Sequence, residues 1–345
     1  MSSGRVTIQD IADRLGISKF SVSRALSGKS GVGEATRNRV LRAAHALGYR
    51  RSQELPAANG QILFIRQEID PVSSELWLNM LHGAEREGER LGFSIVPRQA
   101  RHLAEGGPLD SAVAGLILAV PRPQEISALA ARTGLPVVCA TYVGAMERID
   151  QVVGADWEAG VGVARLLLGL GHRAVAFVHG STLPLGRAER FRGFRDGMLE
   201  APDAMAEDIV FDEAEGFRDV FLTHLRRGGV PTALFCAHDG IAVNVISDLL
   251  RLGIRVPEDI SVVGFNDFAA ASQVSPRLTT VRTPQVEIGA AMVRCIADRL
   301  GDSEAASRPP VRLSLVAEIV TRGSTGPAAP TAWLAPVLKR AKAAK

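Results

Sequence analysis

Three side chains near the amino terminus have the chemistry and the spacing to read the edges of base pairs. Lys19, Phe20 and Arg24 fall on the outward face of a short predicted helix. Lysine and arginine pair with guanine N7 and O6, and an exposed aromatic ring contacts the thymine methyl group. The hydroxyl groups nearby suit phosphate oxygens, and they belong to Thr7, Ser18, Ser21 and Ser23. The alternative is a solvated basic helix face that happens to carry one phenylalanine.

Three predicted helices position these side chains. Thr7 can cap a first helix, Ile8 to Leu15, which Gly16 ends. Ser18 can cap a second helix that runs from Lys19 to about Leu26, so the two form a helix-turn-helix. A third helix is predicted from about residue 34 to residue 47, and its core stripe is Val40, Leu41, Ala44 and Leu47.

The charge of the chain is unevenly distributed. Residues 1–51 contain 10 Lys and Arg against 3 Asp and Glu, a net of +7, and the remaining residues contain 30 against 34, a net of −4. These values add up to the +3 of the whole chain. A basic module attached to a mildly acidic body is typical of a nucleic-acid reader joined to a second function.

The body alternates apolar strands with amphipathic helices. Short strands are predicted near 62–65, 93–96, 114–119, 137–140, 174–178, 233–236 and 261–263, with a helix from about Glu75 to Leu91 after the first of them. Such alternation produces parallel sheets covered by helices, so the fold class is α/β. Ligands of such folds bind at the carboxyl ends of the strands.

Several classes of protein are disfavoured. No apolar run approaches the ~20 residues of a membrane span, and no signal-peptide pattern precedes the first helix, so we expect a cytoplasmic protein. The three cysteines do not have the spacing of metal ligands and are expected to be buried thiols; they are Cys139, Cys236 and Cys295. His238 beside Asp239 could suggest acid–base catalysis, but no catalytic motif or phosphate loop accompanies them. We therefore expect no enzyme, no metal and no cofactor.

The chain closely resembles the lactose-repressor (LacI/GalR) family of transcriptional regulators. In the amino-terminal module the matching stretches are VTIQDIA at 6–12, GIS at 16–18, SVSRALSG at 21–28, TR at 36–37 and LGY at 47–49. In the body they include VGAD at 153–156, LGHR at 170–173, RFRGF at 190–194, GIRVPED at 253–259, VGFND at 263–267 and LTTV at 278–281. The resemblance implies a three-helix DNA-binding domain followed by a two-lobed domain similar to periplasmic sugar-binding proteins.

The resemblance also implies a ligand site between the two lobes. Arg190 matches the family arginine that holds polar groups of the effector. Asn266 stands where many relatives have Asp, and His238 stands where many have Asn. The other residues expected near the effector are Phe211, Ser74, Glu75 and Trp77. The family resemblance implies operator DNA and a small-molecule effector, commonly a sugar or sugar derivative, as partners of a homodimer.

The expected domain limits follow from these matches. The DNA-binding domain is 1–49, the linker is 50–60, and the effector domain is 61–323. Its first lobe is about 61–154 plus 284–311, and its second lobe is about 155–283 plus 312–323. The linker departs from the family's hinge pattern, since Pro56 disfavours helix at Leu55. Residues 324–345, rich in Gly, Pro, Ala and Lys, are expected to be a disordered basic tail.

Three rival functions remain. A solute-binding receptor would bind ligands without a role on DNA, and an enzyme acting on sugars would use the DNA-binding module as an accessory. A nucleoid-type DNA protein would ignore metabolites and show little sequence preference. The intact module at 6–49 argues against the first rival. The prediction is a repressor that responds to an effector.

Replacing Arg24 tests whether this residue reads sequence. Arg24→Ala should weaken binding to an operator selected from a random library by ~1–3 kcal/mol, and binding to random DNA far less. Fluorescence anisotropy with both DNAs measures the two losses. Ser21→Ala, at an expected phosphate contact, is the control and should weaken both equally. Equal losses on both DNAs for Arg24→Ala would contradict a reading role.

Overall fold

Two units make up the chain, residues 1–58 and 59–345. The structure is a computed structural model. It describes residues 8–26, 33, 36, 39, 40, 43, 59–66, 74–101, 109–120, 133–182, 184–212, 216–301 and 308–343. No helix within these ranges has the length and apolar character needed to cross a membrane.

Two helices of the first unit are joined by a glycine turn. Helix α1 spans Ile8–Leu15 and α2 spans Lys19–Leu26. Between them Gly16 has a φ of 63°, a left-handed conformation that glycine adopts without strain. The Ser18 hydroxyl accepts a hydrogen bond from the Ser21 amide at 3.1 Å and so caps α2. The predicted helix-turn-helix is confirmed.

A small apolar cluster forms the core of the first unit. Its buried members are Ile11, Ala12, Val22, Ala25, Val40 and Ala43. Val40 and Ala43 belong to the predicted third helix, most of which lies outside the described residues. Ala43 is a core residue that the predicted stripe does not contain. The linker from 50 to 58, with Leu55 and Pro56, also lies outside the described residues.

The first lobe of the second unit is built on a parallel sheet. In chain order its elements are β1 Gln61–Arg66, α3 Ser74–Leu91, β2 Ser94–Gln99, β3 Val113–Ala119, β4 Val137–Cys139, β5 Asp150–Gly154, α9 Gln285–Leu300 and β11 Arg312–Leu315. The six strands lie in the order β11-β5-β4-β3-β1-β2, and every pair is parallel. Helices α3 and α9 approach closely at Gly83 and Gly289, where an added Cβ would collide with the backbone of the other helix.

The second lobe repeats the strand–helix alternation. Its elements are α4 Asp156–Gly169, β6 Ala174–Gly180, α5 Leu185–Met198, β7 Met205–Phe211, α6 Phe217–Arg226, β8 Ala233–Cys236, α7 Asp239–Arg251, β9 Ser261–Val263, α8 Ala269–Gln273, β10 Thr280–Arg282 and β12 Glu318–Val320. Strands β7-β6-β8-β9 form a parallel sheet in that order, and β10 pairs antiparallel with β12. The buried rings of Phe177, Phe194 and Phe235 lie in the core of this lobe.

In the described ranges the chain passes between the lobes three times, after β5, after β10 and between β11 and β12. The third passage differs from the predicted boundary, which gives residues 312–323 to the second lobe. Arg312 to Leu315 instead pair with Gln151 to Gly154 of the first lobe. The passage therefore falls at residues 316–317, because β11 completes the first sheet before the chain leaves it.

The prediction of a disordered tail is wrong for the described residues after 323. Helix α10 spans Leu334–Ala343 and packs against the second lobe. Trp333, Val337 and Ala341 are at most 8% exposed. Their spacing of four residues forms an apolar stripe, which the surrounding glycines, prolines and lysines obscure in the sequence. The Ala328 amide also donates to the Leu170 carbonyl at 2.8 Å.

Shortening Val337 tests the docking of α10. Val337→Ala should lower the free energy of unfolding by ~1–3 kcal/mol, because it removes two buried methyl groups and leaves a cavity. Urea denaturation measures the change. Lys339→Ala, at an exposed position of the same helix, is the control and should stay within ~0.5 kcal/mol. Equal stability of both variants would mean that the helix is not docked.

Candidate functional site

Arg190 is a buried cation at the carboxyl ends of the second-lobe strands. It lies on α5 and is 7% exposed. Its Nε and one terminal nitrogen donate to the same Asp156 oxygen at 3.0 and 2.6 Å. The other terminal nitrogen donates to the Ala237 carbonyl after β8. The guanidinium carbon stands 3.2 Å from the centre of the Phe265 ring, so three elements fix this side chain.

Asp156, the partner of Arg190, begins α4 directly after the first passage between the lobes. Tyr142 of the first lobe donates its hydroxyl proton to the Gly154 carbonyl at 3.0 Å and accepts from the Asp156 amide at 3.3 Å. Burial raises the pKa of Tyr142, so the hydroxyl stays protonated and can donate. The Arg190 pair is therefore tied to the segment that links the lobes.

His238 and Asp239 are buried side by side where α7 begins. The His238 Nδ1 accepts from the Ile241 amide at 3.3 Å and caps the helix. Burial and the charges of Arg187 and Arg190 lower the pKa of His238 to about 3. The Asp239 carboxylate accepts from the Thr280 hydroxyl and the Phe268 amide, both at 2.6 Å. Burial raises the pKa of Asp239 to about 7, although these two donors act in the opposite direction.

Asn266 lies in a loop whose backbone is tightly held. Asn266 and Asp267 have φ values of 103° and 53°, a region that Asn and Asp enter more readily than other side chains. The Asn266 amide donates to the Val281 carbonyl at 2.8 Å, and its carbonyl accepts from the Gln285 side chain at 3.1 Å. Asp267 pairs with Arg282 and Arg322 at 2.8 and 2.6 Å.

Side chains of the first lobe contact this loop across the lobe boundary. Glu75, in the first turn of α3, accepts from the Ala269 amide at 2.9 and 3.3 Å. It therefore satisfies the first amide of α8 in the other lobe. Asn79 of α3 donates at 2.8 Å to Gln285, the residue that holds the Asn266 carbonyl. The lobes thus meet through polar side-chain contacts as well as through the connecting segments.

The structure brings Arg190, His238, Asn266 and Glu75 to one region through these contacts. Trp77 packs partly buried on the core of the first lobe, two residues from Glu75. Ser74 is the half-buried first residue of α3. Phe211 is buried against Phe217, with ring centres 5.9 Å apart, and so serves the core of the second lobe. Contact between these side chains and a ligand stays a prediction.

The expected DNA contacts lie on the first unit. Lys19 and Ser18 are exposed, and Ser21 and Arg24 are half-buried. The Ser18 and Ser21 hydroxyl oxygens are 2.9 Å apart and share a hydrogen bond. Thr7 and the side chains of Phe20 and Ser23 lie outside the described residues. Lys19 and Ser18 therefore stand at the exposed start of α2, where a recognition helix presents its side chains.

Two family models match the chain, one in each unit. Residues 7–52 match the model of bacterial regulatory proteins of the lacI family, and residues 164–325 match the periplasmic binding protein-like domain. The chain belongs to the lacI family. Both the helix-turn-helix and the two-lobed α/β unit are those of this family.

Relatives and solved structures cover nearly the whole lacI-family chain. The transcriptional repressor PurR of Aliivibrio fischeri (strain ATCC 700601 / ES114) is 27% identical over 339 residues, which cover 92% of this chain and 98% of PurR. The lac repressor dimer bound to operator and the anti-inducer ONPF is 25% identical with a TM-score of 0.64, and the match covers 94% and 100%. The complex of the transcriptional regulator CelR with cellobiose is 24% identical with a TM-score of 0.65, and covers 93% and 100%.

The sequence alone does not assign Asp156, Tyr142 or Gln285 to the site of this lacI-family chain. Asp156 ends a family motif directly after the predicted boundary of the first lobe at about residue 154, which is a signal that could have identified it. Tyr142 and Gln285 carry no such signal, since their partners are 12 and 19 residues away in the chain. Their roles follow only from the way in which the two lobes fold back on each other.

Replacing Glu75 distinguishes a lobe–lobe contact from a ligand contact. Glu75→Ala should lower the free energy of unfolding without ligand by ~1 kcal/mol, because the Ala269 amide loses its acceptor. Glu75→Gln keeps a side-chain oxygen within reach of the Ala269 amide and should lower the free energy of unfolding less. Urea denaturation of the ligand-free protein measures both. Unchanged stability in both variants would contradict the contact.

Proposed function

We propose that this lacI-family chain is a repressor whose operator binding is controlled by a small molecule held between the lobes. The observation that carries the proposal is the buried Arg190–Asp156 pair. It joins the predicted ligand arginine to the segment that connects the lobes. A ligand that engages Arg190 therefore acts at the point where lobe movement is controlled. The same chain carries the helix-turn-helix.

On DNA, two copies of the chain would place α2 in successive major grooves of a near-palindromic operator. Lys19, Phe20 and Arg24 would contact base edges. Thr7, Ser18, Ser21 and Ser23 would contact phosphates. The proposed homodimer is supported by the solved lac repressor, which binds its operator as a dimer. Repression is supported by the names of relatives such as PurR.

The ligand would act through differential affinity for two arrangements of the lobes, since a molecule that binds both equally shifts nothing. Glu75 with Ala269, and Gln285 with Asn266, are contacts across the boundary that change when the lobes move. Arg190 is a planar donor that suits polar oxygens of a carbohydrate. The complex of CelR with cellobiose, a protein of the same fold, supports a carbohydrate class.

An enzyme that acts on sugars is the alternative, and the His238–Asp239 pair is the feature that suggests it. His238 uses Nδ1 to cap a helix, and Asp239 accepts from two structural donors. These contacts support a positioning role instead of proton transfer. No cluster that could hold a metal ion occurs in the described ranges. Conversion of a bound sugar to a product, detected by chromatography, would favour the enzyme.

Changing the shape of the Arg190 cation tests ligand control. Arg190→Lys keeps a positive charge beside Asp156 but loses the planar fork. Operator affinity without ligand should be unchanged. The ligand concentration that releases half of the bound operator DNA should rise roughly 10-fold or more, because the ligand loses the planar donor. Fluorescence anisotropy of operator DNA, titrated with a carbohydrate library, measures both.

The control for this prediction is Arg192→Lys. Arg192 is an exposed residue of the same helix and pairs with the nearby Glu189. It should change neither operator affinity nor ligand response. Loss of operator affinity in folded Arg190→Lys protein would show that Arg190 has a structural role and would contradict the proposal.

A further inference from the structure

The two ring nitrogens of His238 have different roles, which fixes the position of its proton. The ring is 3% exposed. Its Nδ1 accepts from the Ile241 amide, and a backbone amide can only donate. Nδ1 therefore carries no proton. The neutral ring must carry its proton on Nε2, so this nitrogen is a hydrogen-bond donor.

This donor is buried and has no hydrogen-bond partner within the part of the chain that the structure describes. Proteins pair nearly all of their buried polar groups, because an unpaired donor loses its hydration without compensation. An unpaired donor at the carboxyl end of β8, next to the Ala237 carbonyl that Arg190 holds, indicates a missing acceptor. A bound ligand is the natural source of that acceptor.

The surroundings of His238 specify the charge of the acceptor. Arg187 and Arg190 of α5 both act on the ring as positive charges and, after burial, are the causes that lower its pKa, although the charge of Arg190 is also paired with Asp156. His238 also begins α7, where the helix dipole is positive. The neighbouring Asp239 is already held by Thr280 and Phe268. A donor in a positive field favours an anionic oxygen over a neutral hydroxyl.

We propose that the ligand between the lobes is an acidic sugar, whose anionic oxygen accepts a hydrogen bond from His238 Nε2. The inference rests on the proposed ligand-controlled function and adds the chemical class of the ligand. The anionic group is a carboxylate or a phosphate, and both offer the same oxygen chemistry to an N–H donor. His238 is then the residue that separates acidic sugars from their neutral parents.

Two substitutions divide the two tasks of His238. Asn places a side-chain oxygen near the position of Nδ1 and is a good helix cap, but it is too short to reach the position of Nε2. Gln reaches the position of Nε2 with an N–H group but is a poor cap. His238→Asn therefore keeps the cap and removes the outer donor, whereas His238→Gln keeps the outer donor.

Isothermal titration of the full chain with matched pairs of ligands measures the preference. The carboxylate arm compares glucuronate with glucose and galacturonate with galactose, and the phosphate arm compares ribose 5-phosphate with ribose, all at one ionic strength. At least one acidic member should bind roughly 10- to 100-fold more tightly than its neutral parent, as expected for a hydrogen bond to a charged group. His238→Asn should abolish this preference, and His238→Gln should retain most of it.

Three results would overturn the proposal: neutral parents that bind as tightly as the acids, no binding by any acid, or an unchanged preference in His238→Asn. Release of operator by neutral sugars would overturn this inference and leave the proposed function intact. Failure of every ligand to alter operator binding would count against both.

Nitrogen NMR of histidine-labelled wild-type protein provides a test that needs neither variant to fold. It should show His238 protonated on Nε2, with the Nε2 resonance shifting when the tightest-binding acid is added. Protonation on Nδ1 would overturn the proposal.

Discussion

The ion pair of Arg190 and Asp156 is the constraint around which the candidate site is arranged. Both residues are at most 8% exposed, so neither charge has water to replace its partner. Removing one member of such a pair leaves a buried charge, which destabilises proteins by ~3–5 kcal/mol. The pair also fixes the start of α4, the carbonyl after β8 and the Phe265 ring. The geometry of the region follows from one interaction.

A second constraint is the opposed pair His238 and Asp239. The pKa of His238 is lowered from 6.5 to about 3, and that of Asp239 is raised from 3.8 to about 7. As pH rises from about 4 to about 6.5, the contribution of His238 to the free energy of unfolding increases, because His238 is protonated in the unfolded chain and not in the folded chain. The contribution of Asp239 decreases over the same range, because Asp239 is protonated in the folded chain and not in the unfolded chain. The effects of these two adjacent residues on the pH dependence of stability thus partly cancel, and His238 at the start of α7 stays neutral.

Local patterns explain what could be predicted from the sequence. The strands at 233–236 and 261–263 are predicted to the residue, because a short apolar run marks each of them. Arg190 could be assigned to the candidate site because the family motif that contains it is specific. β11 could not be assigned to the first lobe, since its exposed alternating residues take their place only through pairing with β5, about 160 residues earlier. Gln285 and Tyr142 depend in the same way on distant backbone atoms that no local pattern specifies.

The docking of α10 has a consequence for observing the protein at work. Because the chain passes between the lobes three times, its described end belongs to the second lobe, and Trp333, Val337 and Ala341 hold it there. The exposed Lys339 therefore travels with the second lobe, while the exposed Glu85 on α3 travels with the first. The distance between fluorophores at these two positions would therefore change if the lobes move as the proposed function requires. It could be measured without DNA.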